Sequence, residues 1–268
     1  MAIKINGLLD RFLNGKQERI GIALSGGGAK GFSHIGVLMA FERFGIKPDI
    51  LSGVSAGAIA AVLYGAGLKP QDIIKCFTDS SKFGDFTEWS LPKKGFMKLD
   101  RFGKLLEEWL PVKDLQELKI PVVVCATDID HGKSVGWSRG EIVPRVLASC
   151  SIPVIFNPVK INGVNYVDGG VLRNLPAWAI RRYCTTLYGS NCSPMRKSEN
   201  DKKSVLDIAY RTFHLMLKAN LPQDMRLCDS VIQVYEMTRV STFELSSLRK
   251  CVMAGYDAAC KVLENNLK

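Results

Sequence analysis

Three glycine-rich segments hold the residues of this sequence that could do chemistry. The first is GGGAKG at 26–31, a GxGxxG pattern between an apolar run and a helical pattern. Glycines there let backbone amides converge on an anion at a helix N-terminus, either a dinucleotide pyrophosphate or the oxyanion of an acyl-transfer intermediate. A Walker A loop is not indicated, because no Gly-Lys-Ser or Gly-Lys-Thr follows. The glycines concerned are Gly26, Gly27, Gly28 and Gly31.

The second segment is Gly53-Val54-Ser55-Ala56-Gly57, a GxSxG pattern between a predicted strand and a predicted helix. At such an elbow the serine is strained, its Oγ is exposed at the carboxyl end of the strand, and the glycines relieve crowding. The amides after the serine can also stabilise negative charge. A glycine-rich turn into a tightly packed helix is the alternative. We favour a nucleophile, because chance GxSxG matches rarely fall at a strand-to-helix junction.

The third segment is Asp168-Gly169-Gly170, directly after a predicted hairpin strand. An Asp before two glycines is most often a turn residue. The two glycines would also let another segment approach the carboxylate closely. The role of Asp168 therefore depends on the other two segments.

A serine nucleophile needs a base, normally a histidine oriented by a carboxylate. The order Ser55, Asp168, His214 matches that of an α/β-hydrolase triad. However, His214 lies in an amphipathic helical pattern, and only about two strands precede the serine, fewer than in that fold. His34 fits packing or capping near the glycine loop, and His131 lies in a polar turn. No histidine is assigned as the base.

The elements that must position these segments alternate between strand and helix through the first half of the chain. This alternation predicts one α/β domain of three layers, α/β/α, with a mostly parallel central sheet. The predicted strands lie at 19–25, 49–53, 120–126 and 231–235, with a hairpin of 154–161 and 164–167 around Asn162-Gly163. The predicted helices lie at 29–44, 56–64, 141–149, 205–219 and 245–267, and two more begin at Pro70 and Pro176. Residues 190–204 are expected to form a polar surface loop.

Composition excludes several classes of protein. The 268 residues are 47% apolar and 23% charged, which is ordinary for a globular chain and excludes disorder, collagen and coiled coil. The net charge of +10 suggests an acidic partner. Because the basic residues are spread evenly instead of forming a stripe or arm, no nucleic-acid partner is expected.

The sequence also bears on compartment and membrane. The N-terminus lacks a signal-peptide pattern, and the eight cysteines form no CxxC pair, so we expect reduced thiols in a cytoplasmic protein. Three histidines without zinc-ligand spacing predict no metal. Residues 50–68 carry no charge, but their glycines and serines favour a strand, a turn and a buried helix over a membrane span.

The sequence resembles the patatin-like phospholipase family, and specifically its short, single-domain members of the bacterial type. The similarity lies in GGGAKGFSHIGVL at 26–38, GVSAGA at 53–58 and VDGG at 167–170. SCSIPVIFNPV at 149–159 is similar to the segment that precedes the family's Asp. The resemblance covers 19–190 as a catalytic core and leaves 191–268 as a C-terminal helical extension expected to pack on the same domain.

The resemblance implies a lipid acyl hydrolase of the phospholipase or lysophospholipase type, without a cofactor or a catalytic histidine. Ser55 would be the nucleophile and Asp168 the base. The oxyanion hole would come from amides around Gly26, Gly27 and Gly28, and Lys30 falls where the family's motif is usually basic. Gly31, Gly53, Gly57, Gly169 and Gly170 complete the three motifs. A lipid ester is the implied substrate.

Residues 77–98 interleave aromatic residues with lysines, which suits peripheral association with an anionic membrane surface, on the inner face of the membrane. A packed irregular connection is an equal alternative. The aromatic and apolar members are Phe77, Phe83, Phe86, Trp89, Leu91, Phe96 and Met97, and the lysines are Lys82, Lys93, Lys94 and Lys98.

Two other function classes stay open on the residues alone. One is a nicotinamide-dependent oxidoreductase that uses GGGAKG, which needs an acidic ribose ligand at the carboxyl end of the second strand. Asp49 has about the right spacing but precedes that strand. The other is a non-catalytic lipid-binding module, which accounts for the basic charge but not for three motifs in family order.

Overall fold

The computed structural model describes residues 18–78, 95–194, 205–239 and 245–266. Within these residues eight strands form one sheet. They are β1 (Ile20–Leu24), β2 (Ile50–Val54), β3 (Val122–Asp128), β4 (Lys133–Trp137), β5 (Val159–Ile161), β6 (Val164–Asp168), β7 (Thr186–Asn191) and β8 (Ser230–Gln233).

Helices flank the sheet. They are α1 (Phe32–Arg43), α2 (Ala56–Gly65), α3 (Pro70–Thr78), α4 (Gly95–Trp109), α5 (Ile142–Cys150), α6 (Ala177–Ile180), α7 (Val205–Ala219), α8 (Leu221–Met225) and α9 (Leu248–Asn266). In the described part of the chain, no helix is both long enough and apolar enough to cross a membrane.

The sheet is mixed but mostly parallel. Its order is β5-β6-β3-β2-β1-β7-β8, and β4 pairs with β3 outside this path. The run β3-β2-β1-β7-β8 is parallel throughout, whereas β4 and β6 pair antiparallel with β3 and β5 pairs antiparallel with β6. The predicted α/β domain with a mostly parallel central sheet is confirmed.

Both faces of the central strands are buried, which explains their continuous apolar runs. Side chains alternate between the two faces along each strand. Ile22, Leu24 and Leu51 belong to the larger apolar core with α1, α2 and α9. Ala23 and Ile50 belong to a second core with α6, on the other face.

One edge of β3 is shared by two strands that meet end to end. β4 pairs with Val124–Asp128 along one edge of β3. β2 pairs with residues 122–125 and β6 with residues 126–128, so both must use the opposite edge. Val54 therefore faces Cys125, and Asp168 faces the next residue, Ala126. The carboxyl ends of β2 and β6 meet at this point.

The sequence prediction missed two strands, β4 and β7, and overextended a third. β7 is central, because it pairs with both β1 and β8. It contains Gly189, Ser190 and Asn191, which look like loop residues, but Ser190 and Asn191 are fully buried. Of the strand predicted at 154–161, only β5 forms.

The predicted C-terminal extension contributes helices and also the strand expected at 231–235, which forms as β8. β8 joins the sheet beside β7, and α9 packs along α1. Of the loop predicted at 190–204, the first two residues belong to β7, and residues 195–204 lie outside the described residues.

Candidate active site

Ser55 lies on the sharp turn between β2 and α2. Its φ of 53° is in the left-handed region, which is unfavourable for a residue with a side chain. The turn is held by Ser149, whose Oγ accepts the Ser55 amide at 2.8 Å and donates to the Cys125 carbonyl at 2.6 Å. Ser149 is completely buried at the end of α5. The expected strained elbow is therefore present, and a neighbouring helix braces it. Ser55 was expected to be exposed, but it is only 6% exposed because the packing around the turn covers it.

The two glycines of the elbow allow close approach of backbone to backbone. A Cβ on Gly53 would lie 2.5 Å from the Ala58 amide nitrogen in the following helix. A Cβ on Gly57 would clash with the Leu24 carbonyl and lie 2.6 Å from that of Ser25, at the end of β1. Larger residues would push α2 away from the sheet at the position of the serine.

Asp168 is the last residue of β6, and its side chain is 2% exposed. Its amide donates to the Ser151 carbonyl at 2.9 Å, and its Oδ1 accepts the Gly170 amide at 2.8 Å. Burial raises the pKa of Asp168 to about 7, against the opposing effects of hydrogen bonds from the Gly170 amide and the Ser55 side chain. The carboxyl group thus titrates near neutrality and interacts with the elbow serine.

The two glycines after Asp168 fit tightly into the site. A Cβ on Gly169 would lie 2.7 Å from the Cys125 carbonyl, and a Cβ on Gly170 would lie 3.0 Å from the Asp168 Oδ1. The chain therefore passes close to β3 and folds back on the carboxylate.

The glycine loop follows β1, next to β2, and its first peptide group is firmly held. The Gly26 amide donates to the Asn174 carbonyl at 3.3 Å. The Gly26 carbonyl accepts from the Ser193 Oγ at 3.0 Å, the Asn174 Nδ2 at 3.3 Å and the Cys192 Sγ at 3.5 Å. In a trans peptide the Gly27 N–H points opposite to that carbonyl. Fixing the Gly26 carbonyl thus fixes the direction of the Gly27 amide.

The amides that remain for an anion are therefore those of Gly27 and Gly28. Within the described residues neither donates a hydrogen bond, whereas the Gly26 amide already does. Both lie at the start of the helical turn Gly28–Gly31, where amides lack intrahelical partners. The loop also lies against the elbow, because a Cβ on Gly31 would clash with the Ala56 side chain.

Asn174 is a site residue that sequence reasoning missed. It is 2% exposed, and its Oδ1 has no hydrogen-bond partner among the described residues. A Cβ on Gly26 would lie 2.6 Å from this oxygen, and a Cβ on Gly170 would lie 2.9 Å from it. Asn174 therefore connects the glycine loop with the Asp168 turn. Its place in DGGVLRN, six residues after Asp168, was the available signal.

Lys30 lies in the helical turn Gly28–Gly31, and burial lowers the pKa of its ammonium group. The thiols of Cys192 and Cys251 lie near this ammonium group, and its positive charge lowers the pKa of Lys218. No hydrogen bond from the Lys30 side chain to Ser55 or Asp168 is found in the described residues. Lys30 therefore lies on the side of the glycine loop that faces the end of β7, near Cys192.

Two of the three histidines have hydrogen-bond partners other than Ser55 and Asp168. His34 is fully buried, with Nδ1 at 2.9 Å from the Ser190 Oγ and Nε2 at 2.8 Å from the Ser25 carbonyl. Burial lowers its pKa to about 4, so it is neutral at pH 7. The His131 Nδ1 lies 2.9 Å from Asp128 at an exposed corner. His214 lies in α7, and its side chain is outside the described residues.

Cys150, at the end of α5, is a second neighbour of the pair formed by Ser55 and Asp168. Burial raises the pKa of the Cys150 thiol, and the nearby Asp168 charge raises it further, whereas a hydrogen bond with Ser55 lowers it. The thiol is neutral at pH 7 and adds no charge to the site.

Asp49 is at the wrong end of the sheet for a ribose ligand. It precedes β2, and its Oδ2 accepts the Ile20 amide at 2.9 Å at the amino end of β1. The glycine loop is at the carboxyl end of β1. The dinucleotide alternative therefore lacks the acidic residue that it requires at the carboxyl end of β2.

The sequence model of the patatin-like phospholipases matches residues 22–180, more than half of the chain. The chain belongs to the patatin-like phospholipase family. The match contains the glycine loop, the elbow and the Asp168 turn, so the family resemblance predicted from the sequence is confirmed.

Curated relatives agree with this family, and one solved structure shares the fold. An uncharacterised NTE family protein of Mycobacterium tuberculosis is 26% identical over 210 residues, 70% of this chain and 54% of that protein. Lysophospholipase NTE1 of Saccharomyces cerevisiae is 29% identical over 189 residues, 67% of this chain and 11% of the yeast protein. The matched part of the chain thus corresponds to about half of the length of the mycobacterial relative and to a much smaller part of the yeast relative. VipD from Legionella pneumophila has a similar fold, with a TM-score of 0.55 and 15% identity over 93% of this chain and 67% of VipD.

The segment predicted to be interfacial is described only at its two ends. Phe77 packs edge-on against Phe32 and Trp109, with ring centroids 5.0 Å apart in both pairs, so this ring covers the core. Residues 79–94 and the side chains of 95–98 lie outside the described residues. Peripheral membrane association and a cytoplasmic location stay predictions.

Proposed function

We propose that the chain hydrolyses carboxylic esters of lipids, of the phospholipid or lysophospholipid type, through an acyl-enzyme on Ser55. The observation that carries the proposal is the meeting of β2 and β6 on one edge of β3. It brings a serine with a φ of 53° next to a buried carboxyl group whose pKa is raised to about 7. The printed name of the yeast relative, a lysophospholipase, supports the substrate class.

In the first step Asp168 acts as the base. Its carboxylate takes the Ser55 hydroxyl proton while Oγ attacks the ester carbonyl carbon, which leaves the carbonyl oxygen negatively charged. The amides of Gly27 and Gly28, held in place through the Gly26 peptide, stabilise this oxyanion. The bond to the leaving alcohol then breaks, and the alcohol oxygen takes the proton from Asp168.

In the second step the roles are reversed. Asp168 takes a proton from a water molecule, whose oxygen attacks the acyl carbon on Ser55. Collapse of the intermediate returns the proton to the Ser55 Oγ and releases the fatty acid. A base works best when its pKa is near the working pH, and the pKa of about 7 for Asp168 meets that condition.

The test combines active-site labelling with hydrolysis. Wild type is expected to react with a fluorophosphonate probe and to release fatty acid from lysophosphatidylcholine. Ser55→Ala should lose both, and Asp168→Asn should hydrolyse at least about a thousandfold more slowly while staying folded.

Ser52→Ala is the matched control. Ser52 is a fully buried serine on β2, the strand that leads to Ser55, and its hydroxyl donates to the Pro176 carbonyl at 2.9 Å. This variant should keep both labelling and hydrolysis. Labelling of Ser55→Ala at the wild-type rate would refute the proposed nucleophile. A wild type that binds lipid but shows neither labelling nor hydrolysis would favour the non-catalytic lipid-binding module.

A further inference from the structure

A cleft of about 700 Å³ opens at the carboxyl ends of β7 and β8. Asn191 and Gln233, the last residues of these two strands, form part of its lining. The cleft therefore lies at the same edge of the parallel sheet as the glycine loop and Ser55. That edge is where open α/β sheets bind ligands, and the volume is in the range of small-molecule sites.

The walls of the cleft are mainly apolar. Leu221 and Met225 come from α8, Val231 comes from β8, and Tyr235 lies at the mouth, where it is 62% exposed. An exposed tyrosine beside one buried and two half-buried apolar side chains suits a ligand that is apolar in one part and hydrated in another.

Two cations complete the lining, Lys218 at the end of α7 and Arg226 just after α8. Of the described residues that line the cleft, none is acidic, and no described acidic side chain forms an ion pair with either cation. The positive charges of Lys30 and Arg211 also act on Lys218. Burial, together with these charges, lowers the pKa of Lys218 to about 8.

Lys218 also links the cleft to the glycine loop. Its Nζ donates to the Ser193 carbonyl at 2.9 Å, and the Ser193 Oγ donates to the Gly26 carbonyl at 3.0 Å. Ser193 thus connects the Lys218 ammonium group with the Gly26 carbonyl, which belongs to the peptide group that orients the Gly27 amide. A ligand held at Lys218 would lie beside the proposed oxyanion hole.

We propose that this cleft binds a single-chain anionic amphiphile, with its carboxylate or phosphate at Lys218 and Arg226 and its chain along Leu221, Met225 and Val231. An anion there would offset the positive charges of Lys218 and Arg226. Fatty acids carry a carboxylate and lysophospholipids carry a phosphate. In the hydrolysis proposed above, a lysophospholipid is a substrate and a fatty acid is a product. The binding itself does not depend on Ser55.

The test measures binding in full-length Ser55→Ala protein, so that hydrolysis does not interfere. Monomeric dodecyl phosphate, dodecanoate and dodecyltrimethylammonium are titrated by calorimetry. At least one of the two anions should bind at least about tenfold more tightly than the cation, and the tighter anion identifies the head group. Equal affinity for all three, or no binding, would overturn the proposal.

Variants then locate the site. Lys218→Met should weaken binding of the preferred anion at least about tenfold, Lys218→Arg should retain most of it, and Tyr235→Ala should weaken it several-fold. Lys69→Met is the control, because Lys69 lines a different cleft of about 560 Å³ that also contains Glu42 and Asp49. Unchanged binding in Lys218→Met, or an equal loss in Lys69→Met, would contradict the assignment. Failure of the labelling experiment on Ser55 would leave this result unaffected, so the two proposals fail separately.

Discussion

At the amino ends of β1 and β2 the backbone groups are hydrogen-bonded, whereas at the carboxyl ends the chain is strained and some polar groups lack partners among the described residues. At the amino ends the Asp49 amide donates to the Ile20 carbonyl at 2.7 Å, its carboxylate accepts the Ile20 amide, and the Leu51 amide donates to the Pro121 carbonyl at 2.9 Å. At the carboxyl ends Ser55 has a positive φ, and the Oδ1 of Asn174 has no partner among the described residues.

The charge around the two ends differs in the same way. The cleft at the amino ends mixes Lys47, Lys69 and Lys119 with Glu42 and Asp49. The described lining of the cleft at the carboxyl ends of β7 and β8 contains only cations among its charged residues. Strain, unpaired donors and unbalanced charge are thus concentrated at one edge of the sheet. This concentration is typical of functional sites, where features that oppose stability are retained.

The largest effect expected from this difference concerns Asp168 and pH. Its pKa is raised from 3.8 to about 7, so the folded state binds the proton more tightly than the unfolded state. The contribution of the Asp168 carboxyl group to the free energy of unfolding is fully present below pH 3.8 and is lost as pH rises through about 7. Asp168→Asn cannot ionise, and it should therefore exceed wild type in free energy of unfolding by up to about 4 kcal/mol at pH 8.

Urea denaturation of both proteins at pH 4 and pH 8 measures this gain, which should nearly vanish at pH 4. Asp130→Asn is the control. Hydrogen bonds from Asn165 lower the pKa of that carboxyl group, so its removal should give no gain at pH 8. A constant difference between wild type and Asp168→Asn at both pH values would show that Asp168 is not destabilised by burial.

The next effect concerns steric tolerance at the two ends. Gly57→Ala places a Cβ against the Leu24 and Ser25 carbonyls and should lower the free energy of unfolding by about 3 kcal/mol or more. Gly45, on the amino side of β2, has a φ of 69° and open space around it, so Gly45→Ala should cost only about 1 kcal/mol. Urea denaturation compares the two, and equal losses would remove the contrast in packing.

The smallest effect concerns Asn174 as a positioning residue. Asn174→Ala removes one of the donors to the Gly26 carbonyl, so the Gly27 amide becomes less well oriented. We expect kcat to fall about 10- to 100-fold, equivalent to about 1.4–2.7 kcal/mol, with KM changed by less than about twofold. Asn165→Ala, near the other end of β6 from Asp168, where the Asn165 side chain donates to Asp130, should change neither constant in lysophospholipid hydrolysis. A rise in KM alone would assign Asn174 to substrate binding.

The sequence was sufficient for features that depend on local pattern. The elbow at Ser55, the glycine loop and the hairpin turn at Asn162-Gly163 all have short-range signals, and each forms as predicted. The family resemblance added the pairing of Ser55 with Asp168, which no periodicity could supply.

What the sequence could not supply depends on contacts between distant segments. Ser190 has the residue type of a loop. Its local sequence does not indicate that it is buried in β7, where its hydroxyl forms a hydrogen bond with His34. The use of the Gly26 amide by Asn174, and the support of the Ser55 amide by Ser149, are likewise consequences of tertiary packing. The oxyanion hole predicted from Gly26, Gly27 and Gly28 is therefore proposed here for the last two amides only.

The shared edge of β3 also explains where β2 stops. If β2 continued by one residue in register, Ser55 would pair with Ala126, but that position of β3 already pairs with Asp168. The two strands compete for the same hydrogen-bonding groups, and β6 occupies them. The hairpin that carries Asp168 thus terminates the strand that leads to Ser55, so the chain bends into the elbow at the position where the Asp168 carboxylate lies.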